Sequence, residues 1–489
     1  MVKRSLVLSL ILASSFSCSS RTPPSPAVRD GAQEQEIKAL PTAAAATPPK
    51  DADAGPTLKA ARAELAKPDL PTWLRAHMPK GGTVVDGETP RVTHTVQPGD
   101  TYGTIAAAYL AIAEIYAPND FAAAIQKKNP TLGVGKTFDI PEIVKSVPKD
   151  PKDDRLGWPE DKILRGVFVT GAYAQIKWVE ILDKVAARGM NAVVLDAKDY
   201  MGGVNYPTKA KIALETGAGA HAPIPDLARA IRFAHARGIR VITRIPCFHD
   251  PVSDKKLKDG RLSLRFTPTK TPIHIDWIDP TNDEAQEYAV ELARECVEAG
   301  ADEVQLDYVR FPVHIGQSVA VMPDPRDRSN IIRDFVKRVH AVTKPAGAML
   351  SLDLFGVTAT GDRGDIERLG QDIAIVSSEA EAISPMVYPS HYDKGFMGWD
   401  MPGDHPEIVG IGTKAAIAQL KRAKLDTVVR SWLQAFPWKT TNYGSKYVVD
   451  QAKSAENNGG TGWLMWSPGC EYSAVWGGFP PTSKDPSKK

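Results

Sequence analysis

From about residue 161 to 480 the chain alternates short apolar runs with stretches of helical period. The runs are Gly166–Thr170, Ala192–Asp196, Val241–Pro246, Glu303–Asp307, Met349–Leu354, Ala382–Tyr388, Val428–Leu433 and Gly462–Trp466. Most are apolar at nearly every position, as expected of parallel strands covered on both faces. Asp283–Glu298 is the clearest helix, with Ala285, Tyr288, Ala289, Leu292, Ala293 and Cys296 on one face. Thr281 or Asn282 is placed to cap its start, and Gly300 lies just past its end. Eight strand–helix units in roughly 310 residues predict an α/β protein built on a (β/α)8 TIM barrel. An open doubly wound sheet is the alternative, but no Gly-rich phosphate loop follows the first strand.

The region before the barrel is patterned differently. Lys3 and Arg4 precede an apolar run from Leu6 to Leu12, then small residues and Cys18, which together predict an export leader over residues 1–18. Residues 19–90, rich in Pro, Ala, Ser, Thr and charge, read as a mostly disordered tether, with a short helix expected within residues 57–78 (Leu58, Ala61, Leu65). Residues 91–145 form a small module with a strand, a Pro98-Gly99 turn and a helix capped by Asp100 or Thr101. A Lys/Asp/Pro linker (146–160) leads to the barrel, and 481–489 form a tail. A net charge of +2 with no basic stripe gives no sign of a nucleic-acid partner. Beyond Cys18, the thiols Cys247, Cys296 and Cys470 show no metal-ligand spacing, so they are read as three buried thiols or one disulfide with a free thiol. No cofactor or metal is expected.

Barrel chemistry gathers where the strands end at their carboxyl side. In Glu303–Asp307 the alternation sets Val304 and Leu306 against Gln305 and Asp307; in Met349–Leu354 it sets the leucines against Ser351 and Asp353. Asp307 and Asp353 thus point inward at similar depth, and two carboxylates flanking a bond are what glycoside hydrolysis needs. Otherwise Asp307 simply pairs with Arg244 or Arg310. Other strand ends supply Asp196, which binds sugar hydroxyls or pairs with Lys198, together with Lys198, Asp199, Arg244, His249, Arg310, Tyr388 and His391 as substrate contacts, and Asp393 as a fallback acid. Trp432, Phe436, Trp438, Trp463 and Trp466 offer faces for sugar stacking or core packing, and Gln434 offers an amide for hydroxyls.

The segment Ser15-Phe16-Ser17-Cys18 resembles a bacterial lipobox, which implies lipidation of Cys18 and a membrane anchor. His94-Thr95-Val96-Gln97-Pro98-Gly99-Asp100-Thr101, Asn129-Pro130 and Val134 through Pro141 resemble a LysM domain with a longer stretch between Tyr109 and Ile125, which implies binding to peptidoglycan or chitin-like glycan. R-G-V-F-V-T-G at 165–171, L-D-A-K-D at 195–199, L-D-Y-V-R-F-P at 306–312, D-L-F-G at 353–356 and S-P-M-V-Y-P-S-H-Y at 384–392 resemble the DUF4015 glycosyl hydrolase family. That likeness implies a barrel in which Asp307 is the nucleophile and Asp353 the acid/base. The expectation is an exported cell-envelope glycosidase, lipid-anchored or secreted, acting on polysaccharide by a retaining route. The alternatives are a non-catalytic glycan-binding lipoprotein and, less favoured, a deacetylase, which would need a metal cluster the sequence does not assemble.

Overall fold

The computed structural model describes residues 68–313, 320–360 and 362–482. The leader, Cys18, most of the tether and the end of the tail lie outside the described residues. Eight parallel strands form the barrel: β1 (Leu164–Val169), β2 (Ala192–Asp196), β3 (Arg240–Pro246), β4 (Glu303–Asp307), β5 (Met349–Phe355), β6 (Ala382–Met386), β7 (Val428–Val429 and Trp432–Gln434) and β8 (Gly462–Trp466). Each pairs with its neighbours in sequence, and β8 returns to β1, so the sheet closes on itself. Helices follow every strand, from Gly171–Ala187 after β1 to Ser473–Gly478 after β8. The expected barrel is therefore the observed one. Its seam is tight: Gly462 has φ +84°, and a Cβ there would lie 1.9 Å from the Leu164 carbonyl oxygen. A side chain at that position would push β8 off β1.

The two faces of each strand separate by chemistry. Val304 and Leu306 of β4, and Leu350, Leu352 and Leu354 of β5, are fully buried in the layer shared with the helices. The other face of β4 stacks three polar side chains along the barrel axis. At the floor, Glu303 accepts two hydrogen bonds of 2.8 Å from Arg430 and one of 2.7 Å from the Trp158 indole. One layer up, Gln305 donates across the barrel to Ser384 at 3.3 Å. Asp307 stands at the mouth. Asn282, not Thr281, caps the helix Asp283–Glu298, accepting from two amides. Cys247, Cys296 and Cys470 are all free and buried, which settles the thiol question in favour of three unpaired groups.

The region before the barrel is more ordered than its composition suggests. The linker 146–160 is anchored on the barrel. The Arg155 guanidinium donates to the carbonyls of Ala301, Ala346 and Val297, and Asp302 accepts from the amides of Leu156 and Gly157. These contacts hold Trp158 across the barrel floor, with the Arg430 guanidinium 4.8 Å from its ring centre. Residues 68–90 of the supposed tether include a helix, Leu70–Ala76, and a strand, Gly82–Val85. That strand pairs with Arg91–Thr95, which pairs with Thr137–Asp139, in an antiparallel sheet carrying the helices Tyr102–Tyr109 and Pro118–Lys128. The module has its own core, including Leu74, Val92, Ile105, Tyr109, Phe121 and Ile125. Thr101 caps its first helix, whereas Asp100 closes the turn by accepting from the Gln97 amide and facing His94 at 2.8 Å. The long stretch after Tyr109 docks on the barrel, where buried Arg229 donates to the carbonyls of Ala113, Ile115 and Tyr116.

Removing one partner of a fully buried ion pair strands the other. Arg430→Met should lower stability to urea unfolding by about 3–5 kcal/mol. A loss under about 1 kcal/mol would mean that Trp158 alone holds Glu303.

Candidate functional site

The mouth is organised around one guanidinium. Arg244 and Asp196 are register partners on β3 and β2, and Arg244 lies beside Gln305, one layer below Asp307. From there its side chain reaches three carboxylates on three other strands. Nη1 meets Asp196 at 2.5 Å, Nη2 and Nε meet Asp307 at 2.5 and 3.1 Å, and Nε lies 3.7 Å from Asp353. The guanidinium also lies over the Phe168 ring, 5.4 Å from its centre. Burial works against the charge on Arg244, but the three carboxylates outweigh it and hold the group protonated well beyond its ordinary range. The centre of this acidic cluster is thus filled by a protein cation, and among the described residues no group of His, Cys, Asp and Glu is placed to hold a metal ion.

One cation cannot neutralise three buried anions. The Asp353 carboxyl is raised well above the ordinary value by burial and by the negative charge of Asp307, which outweigh Arg244 and the Trp432 hydrogen bond. Asp196 is pushed up to about 7, chiefly by burial, with Arg244 holding it down. Burial and the neighbouring Asp307 thus both favour the protonated form of Asp353. Its Oδ1 accepts a 2.6 Å hydrogen bond from the Trp432 indole, while Oδ2 has no hydrogen-bond partner. Asp307 differs: beyond the two guanidinium bonds, its Oδ1 accepts from the Tyr308 amide at 2.6 Å. Tyr308 takes φ +48° to present that amide, a conformation disfavoured for a side-chain-bearing residue and typical of functional turns.

The structure brings together Asp307, Asp353, Asp196 and Arg244, with aromatic groups on two sides. On one side, Tyr388 lies 5.0 Å from His391 and 5.4 Å from Trp466, and Phe436 lies 5.1 Å from Trp466. On the other, His249 lies 4.9 Å from Tyr308 and 5.5 Å from Trp277, and Arg310 stacks on Trp277 and Tyr308. Trp277 was not singled out from the sequence. It sits in the long β3 loop, where neither period nor motif marks it.

Several sequence-predicted contacts are occupied otherwise. Lys198 pairs with Asp250 at 2.8 Å, not with Asp196; it also donates to the Pro246 carbonyl, and it is 1% exposed. Asp199 folds onto its own loop, accepting from the amides of Met201 and Gly203. Gln434 is fully buried: it accepts from the Ser390 amide and donates to the carbonyls of Phe436 and Trp438, so its amide is spent on shaping the aromatic loop. Trp432 is 2% exposed and holds Asp353 instead of offering a stacking face. Trp463 is core, packed on Phe479. His249 donates from Nδ1 to the Tyr200 carbonyl, at 2.6 Å, and keeps its ring in the wall.

Comparison with known proteins gives a family. Residues 166–472 match the family model DUF4015, described as "Putative glycosyl hydrolase domain". A search of curated proteins finds no match. Among solved structures, a hypothetical protein from Ruminiclostridium thermocellum is 28% identical over 38% of this chain and 96% of its own, with a TM-score of 0.34. The PgaB (BpsB) glycoside hydrolase domain from Bordetella bronchiseptica is 14% identical over 62% and 94%, with a TM-score of 0.45. The spore cortex-lytic enzyme SleL from Bacillus megaterium is 12% identical over 82% and 90%, with a TM-score of 0.38.

A carboxyl raised above its unfolded value holds a proton in the native state that the unfolded chain has released. Such a group lowers stability progressively as pH rises above about 4. Asp353→Asn removes that term, so the variant should gain stability relative to wild type between pH 4.5 and pH 7.5 in urea unfolding. An equal difference at both pH values would show that Asp353 is ionised in the native protein.

Proposed function

Because the chain belongs to the DUF4015 glycosyl hydrolase family, we propose that it is an exported, lipid-anchored glycosidase that cleaves cell-wall or extracellular polysaccharide with retention at the anomeric carbon. Asp307 attacks that carbon while Asp353 gives its proton to the leaving oxygen. In the second step Asp353, now a carboxylate, takes a proton from water as that water displaces Asp307. The observation that carries this reading is the single nitrogen shared by the two carboxyls. Arg244 Nε lies 3.1 Å from one and 3.7 Å from the other, and the sum of those distances is the ceiling on the separation of the two oxygens. That ceiling contains the roughly 5–5.5 Å of retaining enzymes and only touches the lower edge of the roughly 6.5–9.5 Å of inverting ones.

The protonation states favour the same division of labour. An Asp353 carboxyl raised by burial and left with an unpartnered Oδ2 suits an acid, and a carboxylate fed by three N–H donors suits a nucleophile. Tyr388, His391 and Trp466 on one side, with His249 and Tyr308 on the other, supply apolar ring faces for sugar C–H groups. The leader around Lys3, Arg4 and Leu6–Leu12 supports export, and Cys18 is the proposed lipid attachment. The N-terminal module is the proposed LysM-type contact with peptidoglycan or chitin-like glycan. It carries a groove of about 280 Å³ lined by Thr89, Arg91, Lys128, Asp139 and Glu142 among others.

Purified enzyme should release reducing ends from one or more of a panel of peptidoglycan, chitin-like and α-linked bacterial polysaccharides. Asp307→Asn should lower that release by about three orders of magnitude or more. Release by wild type that survives in Asp307→Asn would reject Asp307 as nucleophile, and unchanged glycan binding with no release would favour a binding protein.

A further inference from the structure

The barrel mouth holds a second guanidinium with a different fate. Arg310, three residues beyond the end of β4, is 6% exposed. Its carbon centre lies 4.2 Å from the ring centre of Phe355, 4.7 Å from that of Trp277 and 5.5 Å from that of Tyr308. One N–H reaches the Phe311 carbonyl at 3.1 Å. Among the described residues it makes no ion pair and no other hydrogen bond.

Other buried cations of the barrel have a carboxylate or several carbonyls as partners, although Nε and Nη1 of Arg430 and Nε of Arg229 find no hydrogen bond. Arg244 has three carboxylates, Arg430 has Glu303 and Lys198 has Asp250. Arg229 has no carboxylate but donates to three carbonyls. Arg310 has rings on its faces and one carbonyl at its edge. A guanidinium without an anion in such a place is costly, and burial pulls its pKa down to about 10. Ring faces stabilise the charge without using its N–H fork, which is shaped for the two oxygens of a carboxylate.

We infer that Arg310 is a carboxylate-binding subsite, and that the substrate is an acidic polysaccharide with a carboxyl-bearing sugar residue at the barrel mouth. Trp277 and Tyr308 hold the guanidinium in place and offer the same sugar a stacking face. The assignment of that sugar to a substrate rests on the glycosidase reading, whereas the binding of the carboxylate does not.

The test separates the two. Binding is measured by calorimetry on the full chain carrying Asp307→Asn, so that turnover plays no part. The probes are oligoglucuronates, oligogalacturonides and peptide-free N-acetylmuramic-acid glycan strands, each beside its carboxyl-reduced counterpart. At least one acidic probe should bind about tenfold more tightly than its reduced partner, the size expected of one charge-assisted bidentate contact. Adding Arg310→Gln should abolish that preference, while Arg310→Lys should keep part of it. Equal binding within every pair, no binding of any acidic probe, or a preference unchanged in both Arg310 variants would overturn the inference. Acid-selective binding without hydrolysis by wild type would leave the subsite standing and remove the glycosidase reading instead.

Discussion

Arg244 is the group on which the mouth of this barrel depends. Four strands converge on it, because its guanidinium rises from β3 to reach carboxylates on β2, β4 and β5. Without that cation, three acidic side chains buried within reach of one another could not coexist in ionised form. With only one cation for three carboxyls, the cluster cannot be fully ionised either. The imbalance distinguishes the carboxyls: burial and Asp307 push Asp353, the most enclosed and the one farthest from the guanidinium, towards its protonated form, and Asp307 takes the stronger hydrogen bonds. A pair of chemically identical residues is thereby given unequal surroundings by position alone, which is what the proposed division of roles requires.

The rest of the barrel reads as support for that arrangement. The same face of β4 that carries Asp307 carries Glu303 at the floor, where Arg430 and Trp158 close the barrel from below. The interior is therefore polar from floor to mouth, with charged layers at both ends and the Gln305–Ser384 contact between them. Trp432 fixes Asp353, and Gln434 fixes the loop bearing Phe436 and Trp438, so β7 spends its inward residues on holding groups in place. Such supporting contacts matter to the proposed mechanism, in which a carboxyl displaced by an ångström would lose much of its effect.

The barrel strands were legible because strands buried on both faces leave nearly unbroken apolar runs between helices of clear period. β2, β4 and β8 fall on the expected residues, and the other barrel strands differ mainly at their ends. The period-2 pattern on β4 and β5 also placed Asp307 and Asp353 at one depth, which register confirms by setting Ser351 beside Gln305. Side-chain partnerships were less legible. Lys198 lies close to Asp196 in sequence, yet pairs with Asp250, because the β2 and β3 loops fold over each other and strand alternation says nothing about loops. Trp158 and Arg155 looked like parts of a charged linker, since their partners lie some 140 residues away or more along the chain. Gln434 and Trp432 had the composition of sugar contacts, but burial decides whether an amide or an indole serves the ligand or the fold.

The division of labour between Asp307 and Asp353 can be tested by trapping the covalent intermediate. A 2-deoxy-2-fluoro glycoside with a good leaving group, matched to whichever polysaccharide the enzyme cleaves, slows the second step of a retaining mechanism more than the first. Mass spectrometry of the digested protein should then find one added glycosyl group, located on the peptide containing Asp307 and absent from the Asp307→Asn variant. An adduct on another carboxylate, or turnover that releases product of inverted configuration with no adduct at all, would contradict the account.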